Sequence, residues 1–129
     1  MIAAAQQRQL LAAARAVRAR AHAPYSKFRV GAAVLDERGR VHAGCNVENA
    51  SYGLTVCAER NAVAAAVAAG AKRLRAVAVA SDGAVTPCGA CRQVLAELGD
   101  PTTDVLLAGP RGAPRATTLG ALLPDAFAL

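Results

Sequence analysis

Cys57-Ala58-Glu59-Arg60 and Pro87-Cys88-Gly89-Ala90-Cys91 are the two stretches on which the organisation of this chain turns. Each follows a loop and opens a run that reads as a helix, and the apolar run Leu74 to Ala80 lies between them as a buried strand. Strand–helix–strand alternation of this kind predicts a layered α/β fold. The same stretches carry chemistry. Three thiols at this spacing can hold one zinc ion and leave its fourth position open. Glu59, two residues from the first thiol, is then placed to move protons beside that open position. A structural zinc site has no need of such a carboxylate, whereas a hydrolytic one does.

Working outward, residues 4–22 read as a helix with Leu10, Ala14, Val17 and Ala21 on one face. Residues 29–35 and 40–47 read as the strands of an antiparallel hairpin turning at Asp36-Glu37-Arg38-Gly39. Residues 49–56 form a loop. The helix from Cys57 runs to Ala69 and stops at Gly70. Pro87 suits the start of a third helix over 88–98, which Gly99 and Pro101 terminate. Residues 104–108 read as another buried strand, 110–114 as a turn, 115–118 as a short edge strand, and the segment from about Thr118 to Leu123 as a final short helix before Pro124. The expectation is one domain over residues 1–129, a three-layer α/β/α fold with a five-stranded mixed sheet and helices on both faces.

The chain has 129 residues, enough for a substantial core. Hydrophobic residues make up 54%, much of it alanine, and aromatics only 3%, so a small-residue core with closely approaching helices is expected. No apolar run is long enough to span a bilayer, and no basic segment leads into a continuous apolar one, so neither a membrane protein nor a secreted one is expected. The first 22 residues are rich in Ala and Arg and resemble a transit peptide; a structural first helix is the preferred interpretation. The net charge of +6 permits nucleic-acid binding. However, Arg8, Arg15, Arg18 and Arg20 have no aromatic among them, unlike a track that stacks bases, and read as a solvated helix face.

The thiols admit other interpretations. A disulfide framework is disfavoured in a chain of this length with no sign of an oxidising compartment. A redox pair at Cys88 and Cys91 is not excluded by spacing, but the separate Cys57 with Glu59 favours metal. A four-thiol structural site would need Cys45, which stands too far from Cys57 to make a close pair and reads as a buried strand residue. Three thiolates alone would weaken the ion as a Lewis acid. Helix N-termini at Cys57 and at Cys88 would offset that charge. Arg60 is the preferred donor to the sulfurs, and Arg92 is left open between that role and a surface charge.

Further segments extend the pattern: Ala23-Pro24-Tyr25-Ser26-Lys27-Phe28-Arg29-Val30-Gly31-Ala32, Gly44-Cys45-Asn46-Val47-Glu48-Asn49-Ala50, Arg92-Gln93 directly after Cys91, and Leu122-Leu123-Pro124. With these the sequence resembles, nearly end to end, the small homotetrameric zinc-dependent cytidine deaminases. The resemblance implies one Zn²⁺ per subunit. It implies a substrate pocket in which Phe28 packs on the pyrimidine or sugar and Asn46, Val47 and Glu48 grip the ribose. It further implies that Ala58 offers main-chain contacts to the base and that the Thr86 carbonyl lies near the leaving amine. Neighbouring subunits would complete each site, with Phe127 a candidate lid residue from another chain. The implied activity is hydrolysis of free cytidine and deoxycytidine to uridine and deoxyuridine, a cytoplasmic step of pyrimidine salvage with no nucleic-acid or membrane partner.

On this expectation Glu59 takes a proton from a zinc-activated water, delivers it to N3 of cytosine, and passes the next to the departing amine. The alternatives are a deaminase of a cytosine-bearing nucleoside antibiotic, against which the sugar grip argues; a nucleic-acid editing enzyme, which would need a track for flanking nucleotides and commonly has His as first ligand; and a non-catalytic zinc module binding nucleic acid through the first helix, which leaves Glu59 unexplained.

Overall fold

A computed structural model describes residues 1–129. In chain order the elements are α1 (Ala4–Arg18), β1 (Gly31–Asp36), β2 (Val41–Cys45), a single 3₁₀ turn at Tyr52–Leu54, α2 (Ala58–Ala68), β3 (Leu74–Ala80), α3 (Gly89–Leu98), β4 (Asp104–Ala108), β5 (Arg115–Thr118) and α4 (Leu119–Leu122). The strands form one sheet in the order β2-β1-β3-β4-β5. Only β3 and β4 run parallel, joined through α3; the other pairs are antiparallel. This is the expected five-stranded mixed sheet.

Two apolar layers cover the two faces. On one, Ala32, Val34, Val77, Val79, Val105 and Leu107 meet Ala62, Val63 and Ala66 of α2 and Leu95 of α3. On the other, Ala33, Leu35, Ala76, Ala78 and Leu106 meet Leu10, Leu11 and Ala14 of α1. Alternation along each central strand thus feeds both layers, and all six residues of β1 are buried. That explains why β1 shows so weak a polar–apolar alternation in sequence: neither face meets water. Each buried Leu or Val stabilises the fold by about 1.5–3 kcal/mol, and the alanines by less.

The small residues allow unusually close approach. A Cβ placed on Gly31 would stand 2.0 Å from the Ala14 carbonyl oxygen, and one on Gly44 would stand 2.4 Å from the Ala62 amide nitrogen. Helix α1 is thereby seated on β1, and α2 on β2. Because α2 begins at the first thiol, its seating sets the position of the site.

The first helix ends earlier than periodicity suggests. The Arg20 and Ala21 amides bond three residues back to Val17 and Arg18, which tightens and closes the last turn. Pro24 then disfavours helix at the residue before it. Residue 22 pairs instead with the loop beyond β2: the His22 amide donates to Asn46 O at 3.0 Å, and the Glu48 amide to His22 O at 2.8 Å. The first strand likewise starts two residues later than predicted, at Gly31, because Phe28 to Val30 are held by side chains rather than by a strand. No helix is long and apolar enough to cross a membrane.

Candidate active site and metal centre

The three thiols come together where α2 and α3 begin. Cys57 and Cys88 are the N-cap residues of α2 and α3, both in extended backbone conformation, and Cys91 lies buried in the first turn of α3. Their Sγ atoms lie within 4.8 Å of one another, and Cys88 and Cys91 are 3.5 Å apart. A tetrahedral zinc with Zn–S bonds of about 2.3 Å sets its sulfurs about 3.8 Å apart. The donor set and its spacing therefore fit that ion. Two helix N-termini point at the cluster and favour its negative charge.

A hydrogen bond from the Cys91 thiol, reinforced by Arg60 and opposed by partial burial, brings the Cys57 thiol down to about 5. Cys91, holding the shared proton and more deeply enclosed, is pushed up. Arg60 Nη2 donates to the Thr55 carbonyl at 3.3 Å and lies 3.7 Å from the Cys57 Sγ. Arg92 does something else: its Nε donates to Pro87 O at 2.7 Å and its Nη1 to Leu122 O at 2.6 Å, tying the turn before Cys88 to α4. Cys45 stays outside the cluster, at the end of β2 and only partly buried, with its carbonyl accepting from Asn61 Nδ2 at 2.8 Å.

Glu59 is 5% exposed, and burial pushes its carboxyl above the ordinary range. It lines a cavity of about 270 Å³ together with Cys57, Ala58, Cys88, Phe28, Asn46, Glu48 and Thr86. The cavity lies beyond the carboxyl end of β3, the usual place for ligands in open α/β sheets. Its floor is Val30 and Val79, and Ser26, Thr55 and Val85 complete it. Sequence reasoning assigned no role to these five. Ser26 and Val30 both lie in the Ala23 to Ala32 segment, and the Ser26 hydroxyl two residues before Phe28 is the signal that points to the site.

The polar side chains are already committed to shaping the walls. Asn46 Oδ1 accepts from the Val30 amide at 2.9 Å, and its Nδ2 donates to Phe28 O at 2.8 Å. Asn46 thus holds the backbone that presents Phe28, whose side chain remains partly exposed. Glu48 accepts from the Tyr25 amide at 2.9 Å, the Ser26 amide at 3.2 Å and the Ser26 hydroxyl; that hydroxyl contributes most to holding its carboxyl below the ordinary range. Ser26, Glu48 and Thr55 also line a second cavity of about 400 Å³ bounded by Tyr25 and Tyr52.

Two predicted substrate residues are not in the cavity. Val47 is 45% exposed and pairs through its backbone with Val56, bracing the loop that carries Asn46 and Glu48. Phe127 is 69% exposed and lines a separate, larger cavity of about 470 Å³ between α3, α4 and the tail, which contains no thiol. Within one chain it does not reach the thiol cluster's cavity.

The family model for the cytidine and deoxycytidylate deaminase zinc-binding region matches residues 4–107. The chain belongs to this deaminase family. It is similar to a cytidine deaminase of Sporosarcina psychrophila, with 47% identity over 121 residues, 92% of this chain and 89% of that protein. Against a cytidine deaminase of Mycobacterium tuberculosis the identity is 53% over 111 residues, 84% of this chain and 80% of that protein. The crystal structure of cytidine deaminase from Burkholderia pseudomallei superposes with a TM-score of 0.88 at 53% identity, covering 93% of this chain and 98% of that one. The chain is thus a deaminase-family enzyme, and zinc is the metal its thiol cluster suits.

Proposed function

We propose that this chain, acting as one domain over residues 1–129, hydrolyses free cytidine and deoxycytidine to uridine and deoxyuridine with release of ammonia. The observation that carries this reading is the meeting, in one cavity, of Cys57 and Cys88 from the thiol cluster, the buried Glu59, and a wall built from Phe28, Asn46, Glu48 and Thr86. The relatives named above support the substrate.

Cys57, Cys88 and Cys91 are the residues that would hold Zn²⁺, whose contribution when bound is to make a water acidic near neutral pH. Glu59 accepts that water's proton and gives it to N3 of the cytosine, which makes C4 electrophilic. As the oxygen of the water adds to C4, Glu59 carries the added hydroxyl's proton to the amino group, the C4–N bond breaks while the C4 carbonyl forms, and ammonia leaves. Its burial suits a carboxyl that must hold a proton and release it within one turnover. Phe28 packs on the pyrimidine or sugar, Ala58 and Thr86 offer main-chain contacts near the base and the leaving amine, and Asn46, Val47 and Glu48 shape the sugar site. Arg60 steadies the sulfur of Cys57.

The same reading assigns a homotetramer in which neighbouring subunits close the cavity. Tyr25, Tyr52, Leu54 and Phe127 support this, being large apolar side chains left exposed on a single chain. It also assigns the cytoplasm, where a reducing environment keeps the thiols free to bind metal.

The test is ammonia release from cytidine, deoxycytidine and a cytosine-containing oligonucleotide by the purified protein. Equimolar ammonia and the matching uracil nucleoside from the first two, and none from the third, is the expected result. Silence on both nucleosides overturns the reading.

A further inference from the structure

The basic residues of the first helix do more than face solvent. Arg15 and Arg18 turn toward the end of the sheet that carries the site. Arg15 donates from Nε to Gly109 O at 3.1 Å and from Nη2 to Gly112 O at 2.6 Å, holding the loop after β4. Arg18 donates from Nε to Arg29 O at 3.1 Å and from Nη2 to the Asp82 carboxylate. Arg29 reciprocates by donating to the α1 carbonyl cap at Ala19, at 3.3 Å.

The two segments that Arg18 touches both line the cavity, and they leave the sheet side by side, from Gly31 of β1 and its partner Ala80 of β3. Arg29 lies between Phe28 and Val30, both lining residues; Asp82 opens the loop that brings Val85 and Thr86 to the cavity and ends at Cys88. The first wall is held independently by Asn46. The second has fewer ties. Beyond Ser81, where β3's last ladder contact is made to Ala108, the loop is held by Arg18 at Asp82, by the Ser81 hydroxyl at the Val85 amide (3.3 Å), and by Arg92 at Pro87. It also contains Ala84 at φ 53°, a left-handed conformation that costs energy in a residue with a Cβ.

We infer that Arg18 is a positioning residue for the deaminase reaction: from the far face of the sheet it fixes the Asp82–Thr86 loop against the Phe28–Val30 wall and so sets the width of the substrate cavity. This rests on the function proposed above. Arg18 touches neither the thiols nor Glu59, so its effect falls on substrate capture and not on the proton transfers.

The experiment compares Arg18→Ala, Asp82→Ala and the double variant with the parent enzyme, with Arg8→Ala as an exposed control on the same helix. Each single variant is expected to raise KM for cytidine threefold to tenfold with kcat changed less than twofold and zinc content retained. The double variant is expected to match Arg18→Ala, in which the bond to Asp82 is already gone; the bond to the Arg29 carbonyl is lost with Arg18 alone. The Arg8→Ala control is expected to leave both constants unchanged. Amide hydrogen exchange at residues 82–86 is expected to quicken in the Arg18 and Asp82 variants whether or not cytidine is turned over. An unchanged KM in Asp82→Ala, a fall confined to kcat, or KM effects that multiply in the double variant overturns the inference. Should the parent enzyme be inactive on cytidine, the function reading fails, and exchange at 82–86 alone decides the clamp: unchanged exchange in both variants overturns it. Should Arg18→Ala fail to fold, Asp82→Ala gives the same decision.

Discussion

Arg60 Nη2 sits 3.7 Å from the Cys57 sulfur while donating to the Thr55 carbonyl at 3.3 Å, so one guanidinium links the loop before α2 to the first thiol of that helix. Its Nε is buried without a partner. A donor of this kind lowers the charge density on a thiolate and fixes its orientation.

Replacing Arg60 with Ala should therefore weaken zinc retention by about 10- to 100-fold, the usual effect of losing a residue that supports metal ligands. Competition against a chromogenic chelator measures this directly. Equal affinity in the variant would show that the arginine serves only to pin Thr55.

Glu59→Gln keeps the size and burial of the side chain but cannot shuttle protons. Turnover of cytidine should fall at least 10²- to 10⁴-fold, the range for loss of a general acid–base, while zinc content and the unfolding midpoint stay near those of the parent. Substantial activity in the zinc-loaded variant would remove Glu59 from the mechanism. Cys88→Ala makes the opposite pattern: zinc and stability should be lost together, and elemental analysis finding a full zinc complement would sink the ligand assignment.

The thiol cluster was legible in sequence because its geometry is mostly local. Cys88 and Cys91 share the start of one helix, and Glu59 follows Cys57 by two positions, so only the meeting of two helix N-termini had to be inferred. The sheet was legible for a similar reason, since Ala76 to Ala80 of β3 and Val105 to Ala108 of β4 are apolar runs. The hydrogen bonds made by Asn46 and Arg92 were not. Both side chains act on backbone carbonyls or amides that no spacing rule identifies, Asn46 on residues 28–30 and Arg92 on Pro87 and Leu122. The end of α1 was misplaced because His22 gains more from pairing with the Asn46–Glu48 loop than from one further helical turn. Phe127 was misplaced because it lies on the tail beyond α4, a segment with no periodicity to say which cavity it lines.

Gly44 offers a test of how far the site depends on helix seating. A methyl there would meet the Ala62 amide nitrogen at 2.4 Å and the Asn61 carbonyl carbon at 2.7 Å, both backbone atoms that cannot turn aside. Gly44→Ala should cost about 1–3 kcal/mol by overpacking, and should lower activity by moving α2, with Cys57 and Glu59, off the sheet. Gly53→Ala, where a Cβ meets nothing within 4 Å, is the matched control and should be neutral. Denaturant unfolding and kcat measured on both variants check this; a Gly44 variant as stable and active as the control would show that α2 is seated by other contacts.

At the opposite end of α2, Asp36 is fully buried and accepts from the Arg38 and Arg40 amides, Arg40 Nε and the His42 ring. Burial alone would raise its carboxyl, but these hydrogen bonds, His42's foremost, outweigh it and hold the group well below the usual 3.8. Arg40 also reaches the Ala69 carbonyl at the close of α2, at 3.2 Å, so the cluster ties the β1–β2 turn to that helix. Asp36→Ala should destabilise the protein by on the order of 3 kcal/mol at pH 7, since it leaves Arg40 and His42 facing a buried gap. The sign with pH follows from the depressed value. Above the unfolded-state value near 3.8 the stabilisation is complete; as pH falls below it the unfolded chain takes up a proton the folded one refuses, and the advantage shrinks until the folded carboxyl is protonated too. The gap in unfolding free energy between parent and variant should thus be flat from about pH 5 to 7 and narrow below about pH 4. Taking the difference between two proteins with the same thiol cluster largely cancels zinc's own dependence on pH. A gap that stays constant down to pH 3, or that widens, would mean that the Asp36 carboxylate is not what holds this corner together.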